Sequence, residues 1–169
     1  MNKRLLAVLC VLLSARQMNA ADPRLGVPII PSGERIDSRW TFQSLDGTTH
    51  SLMDFDGEVL LISHWATWCG PCNAELPALA ALYNEVKGHG VEVLCLTNEK
   101  PDIVKSWLEK HPIDVPIYTY DGLPPEDLKF RSWPTAYIVN RKGYVIHREE
   151  GAAQWDDAGV VQKLLNMAH

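Results

Sequence analysis

The chain reads as an α/β domain built on a partly parallel sheet. Two short, almost wholly apolar runs, residues 59–62 and 91–96, have the composition of strands buried on both faces. Between them lies a segment with helical spacing, and the alternation of strand and helix continues to the C-terminus. With 169 residues in all, the chain has room for one domain with one sizeable core.

Taken in order, residues 40–45 alternate with period two, Asp46-Gly47 is a hairpin turn, and residues 48–52 return as a second strand. Residues 58–65 form the first buried strand. The helix after it opens near Pro71, because a proline has no N–H to leave unpartnered in a first turn. It runs to about Lys87 and stops at Gly88, with Leu76, Leu79, Ala80, Tyr83 and Val86 on one face. Residues 91–96 are the next buried strand and 102–110 the next helix. Residues 115–120 read as a strand, and Pro124-Pro125 opens a loop or a short helix through Phe130. Residues 135–139 and 144–149 are strands joined by the turn Asn140-Arg141-Lys142-Gly143, and 156–167 close the chain as a helix.

The most informative stretch is Trp65-Ala66-Thr67-Trp68-Cys69-Gly70-Pro71-Cys72. It places two cysteines, two residues apart, between the end of a buried strand and the start of a helix. Cys69 falls at or just before the helix N-terminus, where unpaired amides and the macrodipole favour a thiolate and hence a nucleophile. Half a zinc site would also read this way, but tetrahedral zinc takes four ligands. Cys95 stands alone, and no histidine pair has the spacing of a zinc finger. A structural staple is the other reading, although so short a loop removes little chain entropy from the unfolded state. Redox exchange suits the pair better than either.

From residue 40 to the C-terminus the motifs and the order of elements resemble the TlpA/ResA/CcmG group of extracytoplasmic thioredoxin-like proteins. The resemblance rests on the hairpin with Asp46-Gly47, the eight-residue run ending in Cys72, and Glu75 followed by Leu76-Pro77. It rests also on an extra strand–helix insert at about 100–114, and on Trp133-Pro134-Thr135 before a strand, where the superfamily has a cis-proline. It implies a thioredoxin-like fold: a central mixed sheet flanked by helices, with an N-terminal β-hairpin and a central strand–helix insert.

The resemblance also implies a role for each residue. Cys69 attacks a partner's disulfide, and Cys72, one turn inside, resolves the mixed disulfide. Gly70 and Pro71 shape the loop, and their identity resembles thioredoxin's own pair, toward the reducing end of the range. Pro134 offers backbone groups to the substrate, with Trp68 and Trp133 as contact surfaces beside it. On spacing alone Glu75 shares a helix face with Cys72, either as a solvated first-turn glutamate or as a carboxylate coupled to that thiol; the resemblance implies the second. The register six residues before Cys69, where thioredoxins carry a buried aspartate, holds Ser63, which cannot act as a base. Trp65, His64 and Cys95 read as core residues.

The N-terminus adds a compartment. Met1-Asn2-Lys3-Arg4 is basic, residues 5–13 are apolar apart from Cys10, and Met18-Asn19-Ala20 offers a cleavage site. Residues 1–20 therefore read as a signal peptide, 21–39 as a Pro/Gly-rich linker and 40–169 as the thioredoxin-like domain. The imperfect cleavage site keeps open an uncleaved anchor in the inner membrane that faces the periplasm. A net charge of −5 with scattered basic residues excludes a nucleic-acid surface.

The function expected is a periplasmic thiol-disulfide oxidoreductase that reduces protein disulfides as a monomer, with no cofactor and no metal. By resemblance, a DsbD- or CcdA-type membrane protein would supply electrons, and cytochrome c maturation is the commonest task. An oxidase or isomerase of secreted proteins, and a dithiol metal carrier, are the alternative classes.

Overall fold

The computed structural model describes residues 35–169. The segments read as a signal peptide and as most of the linker lie outside these residues. Seven strands form one mixed sheet: β1 (Thr41–Ser44), β2 (Thr49–Ser51), β3 (Val59–His64), β4 (Val91–Thr97), β5 (Ile117–Thr119), β6 (Thr135–Val139) and β7 (Val145–Glu150). They lie in the order β2-β1-β5-β4-β3-β6-β7. The central strands β5, β4 and β3 run parallel, and the other neighbouring pairs, β2–β1, β1–β5, β3–β6 and β6–β7, are antiparallel. Three helices complete the domain: α1 (Gly70–Val86), α2 (Pro101–Leu108) and α3 (Ala158–Ala168). Among the described residues no helix is long and apolar enough to cross a membrane.

Every residue of β3 is buried, and the pleat divides its side chains between two cores. Val59 and Leu61 pack beneath the helices with Leu76, Leu79 and Leu82 of α1, Val104 of α2 and Leu164 of α3. Leu60 and Ile62 face the other way, against Phe42, Leu52, Leu128 and Tyr137. This two-sided burial is why β3 and β4 read as continuous apolar runs rather than alternating ones. Gly88, at φ +78°, turns the chain out of α1 with a backbone conformation that a side chain disfavours.

Three details depart from the sequence reading. The packed chain begins before Trp40: Ile36 is buried, its N–H donates to Gly143 O at 2.9 Å, and Arg35 bridges Tyr144. One apolar residue among prolines and glycines was enough to draw the end of the linker onto the sheet. The central insert is a helix followed by a strand, α2 then β5, so residues 100–114 contain no strand. The stretch after Pro124-Pro125 forms only a single 3-10 turn, Glu126–Leu128, which anchors the second core through Leu128.

His64 ends β3 inside that second core. It stacks on Phe130 at 4.3 Å and meets Tyr120 and Tyr137 edge-on. Its Nδ1 lies 3.5 Å from the Tyr120 hydroxyl, and its Nε2 has no partner. Burial lowers its pKa to about 3, so the ring is neutral in the fold. In the unfolded chain the ring takes a proton near pH ~6.5. Below that pH the unfolded state binds the extra proton, and stability falls progressively toward pH ~3. We expect wild-type urea midpoints to drop through this window, at up to about 1.4 kcal/mol per pH unit from this group. His64→Phe should flatten that part of the curve.

Candidate active site

The site is assembled where β3 hands over to α1. The chain leaves the sheet at His64, crosses Trp65 and Ala66 in the core, and surfaces at Thr67 and Trp68. Cys69 is the N-cap of α1, in an extended conformation (φ −89°, ψ 102°), and Pro71 occupies the first turn. Its carbonyl accepts the first helical bond, from the Asn73 N–H at 3.0 Å, and its sulfur accepts the Cys72 N–H at 3.2 Å. The two cysteines are disulfide-bonded, with Sγ atoms 2.04 Å apart. They differ in access: Cys69 retains 5% exposure and Cys72 none, while Gly70 and Pro71 between them are exposed.

The loop before Cys69 is pinned from the segment that follows β4. The Glu99 carboxylate accepts the Thr67 N–H at 2.6 Å and the Thr67 hydroxyl at 2.7 Å. On the opposite side, the Asn73 side-chain amide donates to Thr67 O at 2.9 Å. Thr67 is thus held at once by the loop after β4 and by α1. Sequence reasoning missed Glu99, because 32 residues separate it from Thr67 and nothing local marks the pair.

A second loop meets the first through aromatic rings. Trp68 is 66% exposed and lies edge-on against Trp133, with centroids 5.6 Å apart. Trp133 precedes Pro134, which is buried, and the Trp133–Pro134 peptide is cis. The Pro134 carbonyl is taken by the Gly151 N–H at 2.9 Å. On its far side Trp133 borders an open groove of about 590 Å³, walled by Leu123, Pro124, Phe130 and Arg131.

Beneath the disulfide lies Glu75, on the same buried face of α1 as Cys72. It is no solvated first-turn residue. Its Oε1 accepts the Trp155 indole N–H at 2.6 Å and the Ala153 N–H at 3.0 Å. Burial raises its pKa, the two donors oppose that rise, and nearby Glu149 adds to it. Trp155 and Ala153 also escaped the sequence reading, since they sit about 80 residues away. Ser63 is fully buried and its hydroxyl has no partner. It pairs in register with Cys95 of β4. Burial pushes the Cys95 thiol well above its usual range, with the Glu75 charge adding to the effect, so this third thiol is held protonated. Among the described residues no three His, Cys, Asp or Glu side chains gather as a metal site.

A dithiol at a helix N-terminus, beside the ends of a central parallel pair, defines a thioredoxin-like protein. Residues 37–148 match the AhpC/TSA family, and the chain belongs to it. It is 28% identical over 116 residues to the thiol-disulfide oxidoreductase ResA of Oceanobacillus iheyensis, covering 68% of this chain and 60% of that one. It is 32% identical over 109 residues to the thioredoxin-like protein YneN of Bacillus subtilis, covering 63% and 64%. The chain therefore spans less than two thirds of the length of these relatives. Among solved structures, a thiol:disulfide interchange protein of the thioredoxin family from Chlorobium tepidum superposes with a TM-score of 0.63. It is 21% identical, and the match covers 80% of this chain and 97% of that one.

The Glu99–Thr67 contact yields a direct test. Removing a charged acceptor from a half-buried donor pair costs about 1–3 kcal/mol. Glu99→Ala should lower unfolding stability by that amount and speed hydrogen exchange at the Thr67 amide, while amides in β6 keep their relative protection.

Proposed function

We propose that the protein is a thiol-disulfide oxidoreductase that reduces disulfides in other proteins outside the cytoplasm. The observation that carries this reading is the asymmetric Cys69–Cys72 pair at the start of α1, where Cys69 keeps 5% exposure beside the exposed Trp68, Gly70 and Pro71 and Cys72 keeps none. In the reduced protein the Cys69 thiolate attacks one sulfur of a substrate disulfide. The substrate S–S bond breaks, its other sulfur leaves as a thiolate, and a mixed disulfide joins Cys69 to the substrate. Cys72 then gives up its proton, attacks the Cys69 sulfur and displaces the substrate's second thiolate. Two electrons have passed from the pair to the substrate, one proton has been released from Cys72, the two substrate sulfurs leave as thiolates that take protons from solvent, and the Cys69–Cys72 disulfide has formed.

The other named residues support these steps. Trp68, Gly70, Pro71 and Trp133 offer the contact surface around Cys69, and the groove beside Trp133 has room for the flanking chain of a substrate. The Pro134 loop lies against that surface through the Trp68–Trp133 contact. Glu75, buried on the same helix as Cys72, is the carboxylate we assign to take the Cys72 proton, since Ser63 offers no acid. The basic and apolar leader in residues 1–20 supports export to the periplasm, either by cleavage or as an inner-membrane anchor. A reductant in an oxidising compartment needs a membrane dithiol donor of the DsbD or CcdA type. Apocytochrome c cysteines are the substrate that the resemblance suggests.

A trap tests this. With Cys72→Ser the resolving thiol is gone, and Cys69 should retain its protein substrates as stable mixed disulfides, while Cys69→Ser should retain none. Recovery of no adduct from the periplasmic fraction, with the wild type still reducing a test disulfide, would overturn the protein-reductase reading.

A further inference from the structure

We propose that Trp155 is a positioning residue for the Glu75 carboxylate, fixing one of its oxygens so that the other is left to serve the buried thiol. The inference rests on the oxidoreductase reading above and assigns a part to a residue outside the cysteine loop. A carboxylate enclosed in an apolar core is costly unless hydrogen bonds hold it. Glu75 keeps only 3% exposure, and both of its donors converge on a single oxygen, Oε1. Its Oε2 is buried and has no partner among the described residues. That asymmetry suits a carboxylate anchored at one oxygen and reactive at the other.

Trp155 is the donor that can be varied. It is buried in the core cluster that contains Cys69, Cys72 and Cys95, and its indole N–H donates to Glu75 Oε1. Packing alone does not require that acceptor to ionise, since a glutamine at position 75 would satisfy the indole equally well. The proposal requires ionisation, because only the anion can take the Cys72 proton. The groups that face Glu75 are few. Cys72 shares its helix, the Cys95 thiol of β4 feels its charge, and Glu149 of β7 opposes its ionisation. His147, also on β7, lines a small cleft with Glu149, Ala153 and Trp155; its Nε2 lies 3.4 Å from the Glu149 carboxylate, and burial lowers its pKa.

The sign of the effect follows. Hydrogen bonds to the charged form favour it, so removing the indole donor makes the carboxyl harder to ionise. In Trp155→Phe, the midpoint of the Glu75 carboxyl, followed by carbon-13 NMR, should move up by about 1 pH unit, a change typical of one lost charge-assisted bond. The rate at which a preformed Cys69 mixed disulfide releases its thiol should fall about tenfold below that midpoint and recover at high pH. In a Glu75→Gln background the same substitution should leave the pH profile unchanged. In the wild-type protein, the Trp155 indole proton resonance should titrate with the Glu75 midpoint, and this reading survives even if Trp155→Phe does not fold.

An unchanged carboxyl midpoint in Trp155→Phe would overturn the proposal. So would an equal rate loss in the Glu75→Gln background, or an indole resonance that does not follow Glu75. The titration needs no substrate. A protein inert toward disulfides that still showed the shift would overturn the oxidoreductase reading while supporting the contact itself.

Discussion

The bond from the Cys72 N–H to the Cys69 sulfur is made in the first turn of α1, and the sheet beneath dictates where that turn begins. β3 is buried on both faces, so its six residues cannot slide by one without turning both sets of side chains toward the wrong core. The chain can leave the sheet only at His64, and five residues later Cys69 caps the helix. Pro71 then sets the entry direction with a fixed φ and no N–H to strand. Placing the sulfurs is therefore a consequence of core packing, and the chemistry proposed for them depends on that register.

Around this point the protein spends polar contacts on holding loops rather than on bulk stability. Glu99 and Asn73 grip Thr67 from opposite sides, and the Trp68–Trp133 contact ties the cysteine loop to the Pro134 loop. Both loops keep one exposed flank for a partner. The interior beneath them carries a different kind of polarity. Ser63, Cys95 and Glu75 lie among apolar side chains, and only Glu75 among them is held by donors. β3 carries a serine at this register, the buried carboxylate stands on α1, and its support comes from the loop before α3.

Much of this was legible in the chain because the deciding signals were local. Apolar runs marked β3 and β4, Asp46-Gly47 marked the hairpin, and Gly88 marked the end of α1. The Cys69–Cys72 spacing and the turn of helix to Glu75 placed three site residues on one element. What escaped was non-local or weakly coded. Ile36 is one apolar residue in a stretch whose composition reads as linker, and the order of α2 and β5 depends on which strand edge the insert can reach. Glu99 and Trp155 have ordinary local surroundings in the sequence, and only the fold brings them to Thr67 and Glu75.

A dithiol that gives electrons to other disulfides must have a low equilibrium reduction potential, and that potential is the deciding measurement. Titration of the purified protein against dithiothreitol, read from the thiol content of Cys69 and Cys72, supplies the value. The Gly70-Pro71 pair predicts a potential near that of thioredoxin, about −270 mV. A value close to about −120 mV, where strong disulfide oxidants lie, would contradict the account and assign the site to oxidation or isomerisation.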